Sequence, residues 1–467
     1  SPPLKPLIGH TLAFGKGIAE GIKENRPFQF MRQWFDQYGP IVHLDMLVIG
    51  KAVLLGDPDL VKYVTRNDPA RFTKGTSYDM IKRGWLDDSL VVSEGEVWRQ
   101  KRSVYNRAFK LGAIRSYAPV FEEIAKSTAD QWQIAHERGE NVDAVKAFEQ
   151  VAFEAIGRAG FGVAGLGAHD NKYADAFANY TSVLNWENNG LARLMPPVAR
   201  RVSAWRGRGY LETMQAESRR IVEQSIEAAS TSATDRVDEA AAKSHRNLVA
   251  LMREASAEEG YPEADADHLA REANLFLFAG HDTTSATMAW AWAMLGAHPE
   301  VQQRAFEEVA AVPPEALLSE LSDPRSLPYL GAVVRETLRL YPPATMVLRN
   351  SKYEEELLGY RIPAGVNYIP AIWAIHRDPN VFEAADAFRP ERWHDASGER
   401  LKRMQDHWMP FMIGARGCIG QQFSLMEMRV VLATLLRRFR AELVSEPKTV
   451  QRMLTLPADI SLRVSPR

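Results

Sequence analysis

The chain has 467 residues, of which 46% are hydrophobic and 25% are charged, and its formal net charge is −2. This near-neutral charge argues against a nucleic-acid partner, because nucleic-acid-binding domains are usually clearly basic. The single cysteine, Cys418, excludes an intramolecular disulfide and a CxxC metal site. No apolar run reaches the roughly 18–20 residues that a membrane helix needs, so we expect a soluble, cytoplasmic protein with no membrane span.

The first half of the chain predicts one β-hairpin followed mostly by helices. Residues 41–56 contain two strand-like runs separated by a glycine, which is typical of a hairpin. The Asp57-Pro58 pair that follows is a typical helix start. Residues 188–201 contain two consecutive prolines and predict a surface loop or lid.

The longest helical pattern runs over residues 265–298 and is apolar on nearly all faces, which predicts a helix buried in a large domain. A last long helix is predicted over residues 420–438. The expected fold class is therefore mainly α with a smaller β-rich part, roughly 41–67 and 344–376 plus a C-terminal turn. No change of composition marks a linker, so a single domain of residues 1–467 is expected.

Cys418 lies in the segment FMIGARGCIG, residues 411–420. A lone cysteine is most often a small buried hydrophobe, whereas a nucleophilic cysteine would need a histidine signature that this segment does not contain. The third interpretation is a thiolate metal ligand. An ionised thiolate needs positive charge and hydrogen-bond donors, and the segment offers both in Arg416, in its glycine amides and in the N-terminus of the following helix.

The segment resembles the haem-binding loop of the cytochrome P450 family, the haem-thiolate monooxygenases. Five positions carry the resemblance: Phe411, Gly414, Arg416, Cys418 and Gly420. It implies that Cys418 is the axial ligand of the iron of haem b. It also implies the cytochrome P450 fold, in which the haem lies between a long buried distal helix and the proximal cysteine loop with its helix.

Two charged motifs agree with this resemblance. Glu336 and Arg339 lie three residues apart on one helical face, as either an ordinary surface pair or, given their apolar flanks, a buried pair. They match the Glu-x-x-Arg pair of the family, with Arg392 as the third member of a structural network.

A second set matches the family's positions that pair with the haem propionates through charge-assisted hydrogen bonds. The set comprises Trp98, Arg102, Arg349 and Arg416. For Trp98 and Arg102, which lie on one helix, the alternative is an amphipathic helix with solvated charges.

The segment LFLFAGHDTTSATMAW, residues 275–290, lies inside the long buried helix although it contains several poor helix formers. Hydroxyl groups that bond back to their own helix are one explanation. The segment is also similar to the oxygen-activation motif of the family, at Ala279, Gly280, Asp282 and Thr283. The resemblance implies that Ala279 leaves room for substrate and that the acid–alcohol pair of Asp282 and Thr283 delivers protons. His281 is expected to face outward.

The resemblance implies a monooxygenase that inserts one oxygen atom of dioxygen into a lipophilic substrate, by hydroxylation or epoxidation of a fatty acid, terpenoid, steroid or similar molecule. The pattern is closer to the fatty-acid-hydroxylase-like branch than to short camphor-type members. Ala279 stands where the ω-hydroxylase subgroup often has glutamate, so a covalent haem ester is not expected. A haem-thiolate peroxygenase or isomerase would not need Asp282 and Thr283, and a non-catalytic haem sensor would not explain that pair.

The substrate pocket is assigned only by position within the family pattern, and the assigned residues are mostly apolar. They come from a loop over the haem, the distal helix, the segment after the Glu-x-x-Arg helix and the C-terminal turn. The residues are Tyr78, Met80, Trp85, Leu86, Phe276, Ala279, Ala344, Thr345, Met346, Val347, Leu454, Thr455 and Leu456.

Electrons are expected to come ultimately from NAD(P)H through a separate ferredoxin or flavoprotein reductase. Such an acidic partner would bind a basic proximal face, although the same charges also suit ordinary solvated helix faces. The candidates for this face are Arg99, Lys101, Arg107, Lys110, Arg429, Arg437 and Arg438.

Overall fold

The structure is a computed structural model that describes residues 10–46, 50–66, 69–78, 81–168, 171–187, 195–234, 247–258 and 266–467. Helices form most of it. The α-helices are Thr11–Lys23 (α1), Gln29–Tyr38 (α2), Pro58–Arg66 (α3), Gly95–Ala108 (α4), Leu111–Arg115 (α5), Ala118–Glu137 (α6), Ala144–Ala155 (α7), Lys172–Glu187 (α8), Pro196–Thr234 (α9), Leu248–Glu258 (α10), Ala266–Ala297 (α11), Pro299–Ala310 (α12), Pro314–Ser322 (α13), Pro328–Leu340 (α14), Ile372–Ile375 (α15), Glu391–His394 (α16), Gly398–His407 (α17) and Gln421–Arg438 (α18).

Short strands make up the β-rich part. They are Ile41–Met46 (β1), Gly50–Leu55 (β2), Phe72–Thr73 (β3), Val142–Asp143 (β4), Arg349–Ser351 (β5), Glu355–Leu357 (β6), Tyr360–Ile362 (β7), Asn367–Pro370 (β8), Phe439–Leu443 (β9), Lys448–Gln451 (β10), Thr455–Ala458 (β11) and Ser461–Pro466 (β12). A 3₁₀ turn covers Gly75–Tyr78, and π-helical turns cover Lys82–Leu86 and Ile156–Phe161.

The chain divides into two compact units, each assembled from several segments. Unit 1 comprises the described residues of Ser1–Met80, Ala332–Cys418 and Pro447–Ala458. Unit 2 comprises those of Ile81–Gly331, Ile419–Glu446 and Asp459–Arg467. The segments of a unit are far apart in sequence, so contacts within the folded unit, and not local sequence, bring them together.

Unit 1 contains a five-stranded sheet of order β1-β2-β8-β5-β3. The predicted hairpin is confirmed, because β1 and β2 pair antiparallel with Ile41 opposite Leu55 and Met46 opposite Gly50. Strand β8 joins parallel to β2, and the sheet then continues through β5 to β3 with antiparallel pairs. The side chains of Val42 and Leu44 are fully buried on the face that packs against α2.

Unit 2 is mainly helical, and its small sheet has the order β4-β12-β9. Helix α11 contributes an almost continuous run of buried residues from Thr284 to Leu295. Such a helix is buried on all sides, as its apolar composition predicts. Helix α18 begins after Gly420 and ends at Arg438, also as predicted.

Two sequence-based expectations about helices were wrong. Helix α11 has 32 residues and is shorter than α9, which has 39. Helix α9 starts at Pro196, so the proline pair begins a helix, where a first-turn proline is well tolerated, and does not lie in a loop. The rest of the predicted loop, residues 188–194, lies outside the described residues. None of the helices that the structure describes is both long and apolar enough to span a membrane.

Candidate functional site

The loop that carries the single cysteine closes on itself within unit 1. The Cys418 amide donates to the carbonyl of Phe411 at 2.8 Å, and the Gly417 amide donates to the carbonyl of Gly414 at 2.9 Å. Cys418 is exposed in this loop. This position excludes the interpretation of Cys418 as a buried core residue.

Gly414 is the glycine of this loop for which no other residue can substitute. Its φ is +80°, in the left-handed region, and a Cβ atom added there would lie 2.3 Å from the carbonyl oxygen of Thr65. The loop therefore rests directly on the last turn of α3. Gly420 has φ −82°, a value that other residues adopt without strain.

The aromatic and basic residues of the loop are half-buried. Phe411 packs near Trp408, with 6.0 Å between the ring centroids, and Arg416 is also half-buried. Arg416 precedes Cys418 by two residues in the same loop.

Arg349 supplies the clearest test of whether unit 1 fits a cofactor with carboxylate groups. The residue is only 3% exposed, and its Nη1 donates to the carbonyl of Leu348 at 2.8 Å. Within the part of the chain that the structure describes, no carboxylate forms an ion pair with Arg349. Because a buried cation without an anion is costly, Arg349 fits an anionic ligand such as a haem propionate.

The predicted trio of Glu336, Arg339 and Arg392 is fully buried and hydrogen-bonded in unit 1. Arg339 binds both carboxylate oxygens of Glu336 at 2.8 Å through its Nε and Nη2. Arg392 adds a third bond, from Nε to Oε1 at 2.9 Å. Two donors that the sequence did not reveal complete the set, the Trp393 indole at 2.8 Å and the Arg389 amide at 3.0 Å.

The electrostatics of this trio favour an ionised glutamate. Burial alone would raise the pKa of Glu336, but the hydrogen bonds and charges of Arg339 and Arg392 outweigh it, so the pKa lies below its ordinary value. Arg339 in turn donates to the carbonyls of His376 and Ala385. The trio therefore ties α14 to the segments that lead towards the cysteine loop.

His376 makes a second buried connection between α14 and the cysteine loop. Its Nε2 accepts a hydrogen bond from the Met409 amide at 2.9 Å, so the proton of the neutral ring lies on Nδ1, which is 3.1 Å from the Arg339 carbonyl. Burial, together with the charge of Arg339, lowers the pKa of His376 from 6.5 to about 3. Protonation would remove the acceptor that Met409 needs.

This histidine predicts a loss of stability on mild acidification. Because its pKa is lower in the folded state, unfolding takes up a proton below pH 6.5, and stability falls as the pH decreases. We expect the free energy of unfolding to drop by about 2 kcal/mol between neutral pH and about pH 5 from this residue. Urea denaturation of the wild type and of a His376→Gln variant is measured at both pH values. The contribution of His376 is the stability lost by the wild type on acidification minus the stability lost by the variant. Equal losses in the two proteins would contradict the prediction.

In unit 2, the burial of α11 is interrupted where the oxygen-activation motif was predicted. Ala279 is exposed, and Asp282 and Thr283 are partly exposed, although the residues from Thr284 onwards are buried. Ala279 and Thr283 lie one turn apart on the same side of the helix, and the Thr283 hydroxyl donates to the Ala279 carbonyl at 2.8 Å. An opening between two buried stretches of a helix, here 272–277 and 284–295, is suited to a ligand.

The sequence predicted that His281 faces outward, and this prediction was wrong, because the residue is buried. It is 5% exposed, and its ring stacks on Phe153 of α7 with 3.6 Å between the centroids. Gly280 lies beside it, where an added Cβ would meet Ile156 at 3.4 Å, an ordinary contact. The burial comes from a neighbour about 130 residues away in sequence, so the local pattern could not predict it.

Helix α4 carries the two other residues assigned to the propionates. Trp98 is buried at 6% exposure, and Arg102, one turn later, is half-buried. Both belong to unit 2. Their arrangement on one face agrees with the helix periodicity that the sequence indicated.

The predicted basic proximal face is wrong for two of its members. Lys101 is fully buried, and its Nζ forms an ion pair with Glu272 of α11 at 2.9 Å. Arg429 is buried and donates to the carbonyl of Asp323 at 2.9 Å. Of the remaining candidates, Lys110 and Arg99 are exposed, although Arg99 forms an ion pair with Glu96 at 3.2 Å. Arg107 and Arg438 form ion pairs with Glu258 and Asp130, and Arg437 is half-buried.

In unit 1, the structure brings together two of the segments assigned to the substrate pocket. The Thr455 amide donates to the Pro343 carbonyl at 2.9 Å, and the hydroxyl oxygens of Thr345 and Thr455 lie 3.4 Å apart. Ala344, Met346, Val347, Leu454 and Leu456 are partly exposed beside these buried threonines, as is Tyr78. Met80 lies outside the described residues.

In unit 2, the assigned pocket residues are more deeply buried than a lining requires. Trp85 and Leu86 are 0% exposed. Phe276 packs against Tyr105 and Phe109, with ring centroids 5.8 and 5.5 Å away. Their assignment to the pocket stays a prediction that this burial does not favour.

Phe278 is the aromatic residue of α11 that sequence reasoning missed. It is partly exposed next to Ala279, and it packs on Trp85 and Phe177 with centroid distances of 5.1 and 5.3 Å. Its helical position relative to Ala279 could have made Phe278 the pocket candidate in place of Phe276. That choice would have required knowledge of the residues that pack against each ring.

The residues of unit 1 suit a haem. The exposed Cys418 thiol is the ligand that an iron porphyrin requires, and the buried Arg349, which has no carboxylate ion pair among the described residues, is the counter-charge that its propionates require. Other groups of three or more His, Cys, Asp or Glu that could hold a metal ion do not occur among the described residues. The class that the site defines is a haem-thiolate protein.

Comparison with known proteins agrees. The profile of the family described as Cytochrome P450 matches residues 1–464. Cytochrome P450 monooxygenase 91 of Postia placenta is 29% identical, over 95% of this chain and 89% of its own length. Cyclooctat-9-en-7-ol 5-monooxygenase of Streptomyces melanosporofaciens is 29% identical, over 94% and 88%. Human cytochrome P450 4B1 is 28% identical, over 95% and 84%.

The chain belongs to the cytochrome P450 family. The predictions of the family, of its mainly helical fold and of an oxidoreductase are therefore confirmed. The protein is a haem-dependent monooxygenase, and the peroxygenase, isomerase and sensor alternatives are not favoured.

Proposed function

We propose that this monooxygenase hydroxylates or epoxidises a lipophilic substrate such as a fatty acid, a terpenoid or a steroid. The observation that carries the proposal is the opening of α11 at Ala279, beside the aromatic ring of Phe278 and between the buried stretches 272–277 and 284–295. Apolar walls with few polar groups are typical of sites for such ligands. The Streptomyces relative is named as a monooxygenase of cyclooctat-9-en-7-ol, which supports a hydrocarbon-rich substrate.

The residues assigned to the cofactor take distinct roles in this proposal. Bound haem b supplies the iron chemistry that activates dioxygen. Cys418 would ligate the iron, while Arg349, Arg416, Arg102 and Trp98 would hold the propionates through charge-assisted hydrogen bonds. The remaining assigned positions shape or shield the site: Phe411, Gly414 and Gly420 around the thiolate, and Ala279 with Gly280 on the distal helix.

Asp282 and Thr283 are the proposed proton-delivery pair. The Thr283 hydroxyl needs only to rotate away from the Ala279 carbonyl, 2.8 Å distant, to serve a ligand in the opening. The Asp282 carboxyl is 16% exposed and can exchange protons with water. A hydroxyl and an acid in successive positions therefore suit the transfer of protons to the reacting centre.

Replacement of Thr283 by alanine should uncouple electron use from product formation. Without the hydroxyl, protons reach the reacting centre less efficiently, and we expect the product formed per NAD(P)H consumed to fall about tenfold or more, with peroxide released instead. NAD(P)H oxidation, product and peroxide are measured together. Thr287→Ala is the matched control, because the Thr287 hydroxyl also bonds back within α11, to the Thr283 carbonyl. Unchanged coupling in Thr283→Ala would contradict the assigned role.

Electrons are proposed to come from NAD(P)H through a ferredoxin or a flavoprotein reductase. Arg99 and Lys110 are the exposed members of the predicted basic face, which supports a smaller docking surface than the sequence suggested. We also propose a single catalytic domain of residues 1–467. The one continuous family match over residues 1–464 supports it.

The substrate class is tested by spin-state titration of the haem-loaded protein with fatty acids, terpenes and steroids. Binding of a true substrate next to the iron should shift the spin equilibrium with saturation. Turnover with dioxygen and a surrogate ferredoxin system then tests the reaction. Saturating shifts by small hydrophilic acids, with none from the three lipophilic groups, would contradict the proposal.

A further inference from the structure

Three buried polar atoms within residues 281–284 of α11 have no hydrogen-bond partner among the residues that the structure describes. They are both ring nitrogens of His281 and the hydroxyl oxygen of Thr284. His281 is 5% exposed and Thr284 is 2% exposed, so bulk water does not satisfy them. Buried polar groups in folded proteins are nearly always hydrogen-bonded, to protein or to an ordered water.

Thr284 differs from the other threonines of this part of the helix. The hydroxyl of Thr283 bonds back to the Ala279 carbonyl, and that of Thr287 bonds back to the Thr283 carbonyl, both at 2.8 Å. Such back-bonding is the usual way for a helical threonine to satisfy itself. The Thr284 hydroxyl does not use it, although Thr284 is only 2% exposed.

His281 and Thr284 can share one ligand. They are three residues apart and so lie on the same face of α11. A helical side chain leans towards the preceding turn, which places the Thr284 hydroxyl over the turn that contains His281. Phe153 holds the imidazole by stacking at 3.6 Å with an interplanar angle of 25°. The ligand site is therefore bounded by α7 and not by the open side of α11 at Ala279.

The imidazole is also next to the proposed proton-delivery acid. The Nδ1 of His281 lies 2.9 Å from Oδ1 of Asp282, a distance of close contact, yet the direction is not that of a hydrogen bond. A group that accepts from one neighbour and donates to the other would satisfy both side chains. Water is the smallest molecule that does so, and buried waters typically make about three hydrogen bonds.

Tyr173 of α8, the other polar ring near Phe153, already has a partner. Its centroid is 6.2 Å from that of Phe153, and its hydroxyl donates to the Asn274 carbonyl at 3.2 Å. Its proton is therefore not available to a nitrogen of His281 that acts as an acceptor. Within residues 281–284 of α11, the buried atoms without a hydrogen-bond partner among the described residues belong to His281 and Thr284.

We propose that His281 and Thr284 bind a buried water on the α7 side of α11, and that His281 with this water is a positioning element for the Asp282 carboxylate. The water site stands on the buried atoms alone. The positioning role rests on the proposed function, because it acts through Asp282. His281 orients the acid through the water and relays a proton to it along hydrogen bonds, without any covalent change.

A high-resolution crystal structure of the haem-loaded full chain tests the water site without any activity. We expect an ordered water within hydrogen-bond distance, about 2.6–3.2 Å, of the Thr284 hydroxyl and of one His281 nitrogen. The variants Thr284→Val and His281→Phe should each lose it, because valine keeps the shape of threonine and phenylalanine keeps the stack on Phe153. An empty, closed site in the wild type, or a protein partner on both side chains, would overturn the proposal.

The positioning role is tested by the peroxide released per NAD(P)H consumed, with dodecanoic acid as the probe substrate. His281→Phe should raise this ratio about tenfold, and it should add nothing in an Asp282→Asn background, where the acid is already lost. Thr287→Val is the control and should change neither the water nor the ratio. An equal effect of His281→Phe in both backgrounds would show a merely structural role. The carbon monoxide spectrum of each variant reports thiolate ligation separately, so a failure of the proposed function is recognised independently.

Discussion

Replacement of Cys418 by serine should abolish monooxygenase turnover while leaving the fold intact. The chain contains no second cysteine, so no other thiolate can replace it as iron ligand, and a neutral hydroxyl does not push electron density onto the iron to favour O–O cleavage. Because the thiol is exposed in a loop closed by main-chain hydrogen bonds, its loss creates no cavity in a core. We expect the thermal unfolding of the haem-free variant to match that of the wild type.

The measurement is the absorption spectrum of the reduced carbon monoxide complex together with turnover. The wild type should show the long-wavelength band of a thiolate-ligated haem, and Cys418→Ser should not. Ala415→Ser, at an exposed position of the same loop, is the matched control and should retain the band. Titration with a thiol reagent adds an independent check, because one thiol per chain should react without haem and be protected with it. A thiolate-type band in Cys418→Ser would refute the assignment.

Replacement of Glu336 by glutamine should destabilise the protein by about 3–5 kcal/mol, since removal of one charge from a buried network leaves its partners uncompensated. Arg339 and Arg392 both direct a guanidinium at this carboxylate, and Trp393 adds an indole donor. The amide of glutamine offers one acceptor oxygen in place of two and adds donors where donors already converge. Haem retention should fall as well, because the trio supports the segments that lead to the cysteine loop.

Urea denaturation of the haem-loaded protein measures this loss. Glu356→Gln, one residue after a buried glutamate but itself exposed on β6, is the matched control and should change the free energy of unfolding by less than about 0.5 kcal/mol. Arg339→Lys tests the geometry separately, because lysine keeps the charge but loses the planar fork that binds both oxygens. A Glu336→Gln variant as stable as Glu356→Gln would show that the carboxylate is not ionised in the folded protein.

Features governed by local pattern could be predicted from the sequence. The hairpin of β1 and β2, the ends of α18 and the pairing partners Glu336 and Arg339 all follow from residues close together in the chain. Arg392 came from family resemblance, since it lies 56 residues from the glutamate it binds. Within the candidate site, the position of Cys418 on a turned loop was predictable because its glycines stand beside it.

Features set by distant partners could not be predicted. Lys101 looks like any solvated lysine on a helix, and only the presence of Glu272, 171 residues later, explains its burial. His281 is drawn inside by Phe153 in the same way. Whether a charged or polar side chain is buried or exposed thus cannot be predicted until its neighbours in the fold are known. The burial of such groups depends on pairing and not on residue type.

The contact between Gly414 and α3 limits how this chain can be recombined with its relatives. The glycine backbone rests on the Thr65 carbonyl so closely that a single added carbon would overlap it by more than an ångström. A chimera that takes the cysteine loop from one parent and residues 58–66 from another therefore combines two contact surfaces that did not evolve together. Recombination with a related chain should give a folded protein most often when both segments come from the same parent, even though some 350 residues of sequence separate them.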